Sequence, residues 1–178
     1  MIPEWPDRVP DSIQPLVGYR AWLFTNNVRG ASLLPIGGRP LTSTAWEGAN
    51  RGWVSAACPF GGREKLDYPP DSSLDHPPHV IPGEDCSCGF YAMKVLSCAQ
   101  QLTMELQRGP DLTLGRVELA GKVIEHSLGY RAARARIAAL IPIRGNERTV
   151  KRLAQSLGLP LDPVILRWSS PDGLPPAA

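Results

Sequence analysis

Apolar positions recur at helical spacing in one stretch above all. Within FYAMKVLSCAQQLTMELQ, residues 90 to 107, Tyr91, Val95, Cys98, Leu102 and Leu106 follow one another at intervals of four, three, four and four. That is one face of an α-helix, and Arg108-Gly109-Pro110 supplies the basic residue, glycine and proline that end one. A different period begins at residue 112. In LTLGRVELAGKVIEH, Val117, Leu119, Gly121 and Val123 alternate with Arg116, Glu118, Ala120 and Lys122, which predicts a half-buried strand. Ser127-Leu128-Gly129 turns the chain. YRAARARIAALIPI then reads two ways: alanine and arginine favour helix, while Ala133, Ala135, Ile137, Ala139 and Ile141 alternate inward as a strand would. The strand is preferred, paired with its predecessor, because the turn is tight and Pro142 ends the run. Asn146 is expected to cap a helix over ERTVKRLAQSL, with Val150, Leu153, Ala154 and Leu157 inward and Gly158 closing it. YRAWLF, ASLLPIGG and WVSAAC read as short strands bounded by turn residues, and PVILRW as a last one.

Several strands with two helices predict an α+β domain, a small antiparallel sheet or partial barrel. Proline sets its limits. Four prolines in the first 16 residues predict an N-terminal arm, residues 17 to 168 a single domain, and residues 169 to 178 a tail. Between them, residues 59 to 85, PFGGREKLDYPPDSSLDHPPHVIPGED, are proline-rich and have no period. A loop of that length inside a compact domain calls for something to pin it.

The pin is expected from cysteine and histidine. The start of the chain shows no cationic segment followed by a long apolar run. A cytoplasmic protein is therefore expected, in which thiols stay reduced and four cysteines point to metal or burial rather than disulfides. Cys98 lies on the helical stripe and reads as a buried core thiol. Cys58, Cys86 and Cys88 remain, with His79 preferred over His76 because Pro82 and Gly83 let the chain return from it to Cys86. Zinc takes four nitrogen or sulfur donors in a tetrahedron, with thiolates at roughly 2.3 Å and imidazole nitrogen at roughly 2.0 Å. Cysteines at i and i+2 project to one side of an extended segment. A helix starting near Phe90 would set its positive end beside them and favour the thiolates. Cys58, His79, Cys86 and Cys88 thus read as a structural zinc site pinning the loop. Packed thiols, a C-x-C redox dithiol and an iron–sulfur cluster are the alternatives. HExxH, P-loop, GxGxxG, GxSxG and zinc-deaminase motifs are all missing.

Net charge is +2, but residues 1 to 110 hold 9 basic against 11 acidic residues and residues 111 to 178 hold 10 against 6. The basic end gathers Arg116, Lys122, Arg134 and Arg136 on the hairpin and Arg148, Lys151 and Arg152 on the second helix. This surface is expected to meet nucleic acid or an acidic protein, as part of a non-enzymatic binding or adaptor module; a solvated face is the plainer alternative. Tyr19, Arg20, Trp22, Trp46 and Trp53 form an aromatic-rich group near the start. Core packing is the ordinary role for such residues. The functional alternative is an enzyme pocket in which Arg20 or Arg131 meets a small anionic or nucleotide-like ligand. A structural subunit of a larger assembly is the third reading.

The motifs YRAW (Tyr19 to Trp22), C…H…CxCGxYA (Cys58, His79, Cys86 to Ala92) and GxVxxxGxVxEHxxGYRA (from Gly115) extend over roughly residues 18 to 160. In this the chain resembles a family of small bacterial proteins, often actinobacterial, with no known activity. Where that family usually has a tryptophan before the second glycine of the late block, this chain has Ala120. The resemblance implies a bacterial cytosolic protein with a metal-site scaffold, and it brings no activity with it.

Overall fold

Alternation between residues 112 and 141 produces the expected hairpin. The computed structural model describes residues 14–27, 30–35, 46, 48–58, 79–84, 86–106, 112–164 and 166. Its strands are β1 (Leu16–Asn27), β2 (Gly30–Pro35), β3 (Val54–Ser55), β4 (Phe90–Met93), β5 (Leu112–Glu125) and β6 (Gly129–Ile141), joined by helices α1 (Leu96–Leu106) and α2 (Glu147–Leu157). All six strands belong to one antiparallel sheet. The α+β expectation holds. The pairings β1–β5, β5–β6, β6–β4 and β4–β1 close a ring of four strands, but β4 meets β1 at the single pair Tyr19 and Met93. The ring is therefore a partial barrel. No helix among the described residues is long and apolar enough to cross a membrane.

The stretch read as one helix from residue 90 divides into β4 and α1. Phe90 and Ala92 are buried while Tyr91 points outward, the alternation of a strand rather than the stripe of a helix. Local propensity loses here to pairing on both edges. Glycine on each side lets β4 in: a Cβ on Gly18 would lie 2.7 Å from the Ala92 Cβ, and one on Gly129 would lie 2.5 Å from the Ala92 carbonyl oxygen. The helix starts only at Leu96, so Tyr91 and Val95 of the expected stripe lie outside it. Val95 is 52% exposed, Cys98 is half-buried rather than a core thiol, and Ala99 packs instead.

The sheet separates two apolar clusters. Trp22, Phe24, Trp46, Phe90, Val117, Leu119, Ala135, Ile137 and Leu140 meet Val150, Leu153 and Ala154 of α2 on one face. Ala21, Leu112, Leu114 and Ile141 meet Ala99 of α1 on the other. The inward face of β6 is not the simple alternation expected. Arg116 faces Ala139 and Val117 faces Ile137, so Ala138 is an extra residue, and the bulge puts both Ile137 and Leu140 on the α2 side.

Asn146 stands at the start of α2, but its side chain does not cap the helix. It accepts the Ile143 N–H at 2.9 Å and donates to the Leu112 carbonyl at 2.6 Å, tying the helix to the start of β5. Gly158 closes α2 in the left-handed region, as expected. The third strand shrinks to Val54–Ser55. The last is not a strand among the described residues: Leu161 and Leu166 make isolated parallel bridges to Leu140 and Ile143. Residues 1–13 of the expected arm, the tail, and residues 59–78 of the long loop, with His76, lie outside the described residues.

Candidate metal centre

β3 and β4 share one edge of β6 because β5 occupies the other. Val54 and Ser55 pair with Ala135 and Arg134, and the Ala56 N–H bonds the Ala133 carbonyl at 2.8 Å. β4 takes over at Phe90 opposite Ala132. At this seam the chain leaves the edge through Cys58 and rejoins it through Cys86 and Cys88. Gly89 makes the last turn into β4 at a φ of +114°, a value that side chains resist.

The ligand atoms of Cys58, His79, Cys86 and Cys88 all lie within 4.8 Å of one another. Cys58 Sγ is 3.6 Å from Cys86 Sγ, and His79 Nε2 is 3.2 Å from Cys88 Sγ. Two sulfurs at tetrahedral angles on one ion, each roughly 2.3 Å from it, stand about 3.8 Å apart. The four side chains are thus close enough to hold one metal ion, and they are the four read from the sequence. Cys86 and Cys88 are buried; Cys58 and His79, which flank residues 59–78, are half-buried. All four cysteines of the chain are free thiols.

The surroundings favour thiolate unevenly. Burial pushes the Cys86 thiol up, but hydrogen bonds from the Cys88 backbone and from the Cys58 and Cys88 thiols, with the charge of Arg131, leave it below its ordinary value. Cys88 is pushed up to about 11, chiefly by burial and further by Cys86 and Cys58, against the Gly83 N–H that donates to its sulfur at 3.4 Å. The helix end expected to stabilise these thiolates is not there, since β4 follows Gly89 directly. Backbone N–H donors and Arg131 do that work instead. Two further residues join the site that no spacing rule singles out. Tyr91 donates its hydroxyl to the Ser87 carbonyl at 2.8 Å, between the two cysteines, and its ring lies 6.0 Å from Arg131 Cζ.

The expected ligand pocket divides among three places. Trp22 and Trp46 meet edge to face at 5.7 Å, and Trp46 meets Phe90 at 4.8 Å, so these rings fill the main core. Arg20 lies over Trp46 at 5.3 Å and donates to the Tyr91 carbonyl at 2.7 Å. Burial lowers its pKa to about 10, with Tyr91 pulling the other way. Tyr19 packs with the α1 cluster, and Arg131 belongs to the metal centre. Trp53 leaves the aromatic group and lies beneath Arg134 and Arg136, at 5.5 and 5.0 Å.

Of the basic hairpin residues, Arg136 is held by Glu118 through Nε at 2.6 Å and Nη2 at 2.5 Å, and Arg116 stands 3.8 Å from Asp162. Lys122 and Arg134 are exposed. Arg148, Lys151 and Arg152 are exposed on α2. Comparison with family models, curated proteins and solved structures finds no significant match for the chain.

Proposed function

We propose that the protein is a non-enzymatic binding module whose proline-rich segment is held by one structural zinc ion. The observation that carries this reading is the closeness of three sulfurs and one imidazole, all within 4.8 Å. A polynuclear iron–sulfur cluster sets ligands of different irons further apart than a single ion does, so the spacing favours a mononuclear site. Three thiolates and a nitrogen in a tetrahedral set suit zinc, and four protein ligands leave no position for a reacting water. The ion would fasten Cys58 to His79 and so close the long loop at both ends. Kinship with the bacterial family whose motifs the chain carries is part of the same proposal.

The binding face proposed is the hairpin around Lys122 and Arg134, extended by Arg136 on Trp53. Glu118 and Asp162 already engage two of its four cations. A thinned positive field favours an acidic protein surface over the dense phosphates of nucleic acid. Elemental analysis tests the scaffold: one zinc per chain is expected, lost in Cys86→Ser, and wild-type protein purified without metal would sink it. Titration with duplex and single-stranded DNA at rising salt tests the partner. Tight binding whose affinity falls steeply with salt would assign the face to nucleic acid instead. A second reading, an enzyme for a small anionic ligand, draws on Arg20 Nε and Trp22 Nε1, which are enclosed without acceptors. It predicts saturable phosphate binding abolished in Arg20→Met.

A further inference from the structure

We infer that Arg131 is the counter-charge of the metal centre, a buried guanidinium that balances the one negative charge left when three thiolates and an imidazole hold a divalent ion. The inference rests on the metal reading above and adds a residue to it. A centre of two cysteines and two histidines is neutral and has no need of such a group; the set of Cys58, His79, Cys86 and Cys88 does.

Arg131 sits in β6 opposite Tyr91 and is only 5% exposed. Lys94, Arg116 and Arg136 each face a carboxylate, whereas none of the ion pairs among the described residues includes Arg131. Its Nε is enclosed and has no hydrogen-bond partner. A buried ion in that state is costly unless an opposite charge lies near. The metal loop supplies the place for one. A Cβ on Gly89, the residue after Cys88, would stand 3.0 Å from Arg131 Cγ, so the arginine stem runs against the backbone that carries two of the ligands. Tyr91, opposite Arg131 in the pairing of β4 with β6, has its ring 6.0 Å from the guanidinium carbon and donates its hydroxyl to the Ser87 carbonyl in the same loop. Taken separately, a buried arginine and a buried anionic centre each carry an unbalanced charge, and together they cancel.

The test compares wild-type protein with Arg131→Met, Arg131→Gln and Arg131→Lys, loaded with zinc and titrated against a chelator of known affinity. Loss of the charge is expected to weaken zinc about 10- to 100-fold, the usual effect of removing a group that supports metal ligands. It should also raise the pH at which half the metal is released. Arg131→Lys, which keeps the charge, is expected to stay near wild type in both. In a Cys58→His background the centre is neutral, and Arg131→Met is expected to weaken zinc no further, an outcome that a purely packing role for the arginine would not produce. Neutral variants that hold zinc as tightly as wild type, with the same release pH, overturn the inference while leaving the metal site standing. A lysine variant as weak as the methionine one also overturns it. Wild-type protein that binds no zinc removes the metal reading itself.

Discussion

Gly89→Ala tests how the turn after Cys88 builds the site. The residue has a φ of +114°, and a Cβ there would lie 3.0 Å from Arg131 Cγ, 3.1 Å from the Ala132 carbonyl oxygen and 3.2 Å from Pro82 Cβ. Two costs arise. Holding an L side chain in that backbone region costs about 2 kcal/mol. Pressing a methyl against a β6 carbonyl, which cannot move without disturbing its pairing, adds about 1–2 kcal/mol. The sum is about 3–4 kcal/mol. Gly145→Ala separates the two: its φ is +100°, but nothing lies within 4 Å of the added Cβ. It should lose only the backbone share, about 2 kcal/mol. Urea denaturation of both variants at fixed excess zinc, with the slope checked for constancy, gives the comparison. Zinc affinity should fall in Gly89→Ala and stay at the wild-type level in Gly145→Ala. If the two variants lose equal stability within about 0.5 kcal/mol, the contact argument is wrong and the seam at Cys88 is looser than described.

The other expectations concern metal, pH and the helix start. Zinc that binds only the folded chain should stabilise it by about 4 kcal/mol when free metal stands 1,000-fold above Kd; a melting temperature that ignores both zinc and chelator refutes this. In metal-free protein the Cys88 thiol, pushed up to about 11, lies above its unfolded value of about 8.5. A raised folded pKa means the neutral thiol is favoured by folding. That stability is therefore whole below about pH 8.5 and lost as pH climbs towards 11. Denaturation of chelated protein across that window checks the sign, and stability that rises with pH would contradict it. Asn146→Ala removes the bonds to Ile143 and Leu112 and leaves their backbone groups unsatisfied. A loss of about 1–3 kcal/mol is expected by chemical denaturation; a change under about 0.5 kcal/mol would mean water replaces both bonds.

What the chain determined by itself is whatever rests on local period and on side-chain chemistry. Alternation from Leu112 set β5, the tight turn and Pro142 decided for a paired strand over a helix in β6, and the stripe of Val150, Leu153 and Ala154 set α2, because a periodic apolar face has one side to bury. The candidate four-donor group was legible too, since thiols and imidazole are the side chains that bind a soft ion and Cys58, His79, Cys86 and Cys88 flank a long aperiodic segment. Tertiary structure decided the rest. Phe90 to Met93 follow a helical stripe in sequence, yet they form a strand because two neighbours with glycines offer hydrogen bonds on both edges. An extra residue at Ala138 shifts which side chains of β6 face α2, and periodicity cannot foresee a bulge whose cause is the partner strand. In the sequence Arg131 stands as a candidate to meet a small anionic ligand, with nothing to link it to the cysteines. Only the handover from β3 to β4 along one edge of β6 buries it beside Cys86, since long-range pairing determines which charges leave water.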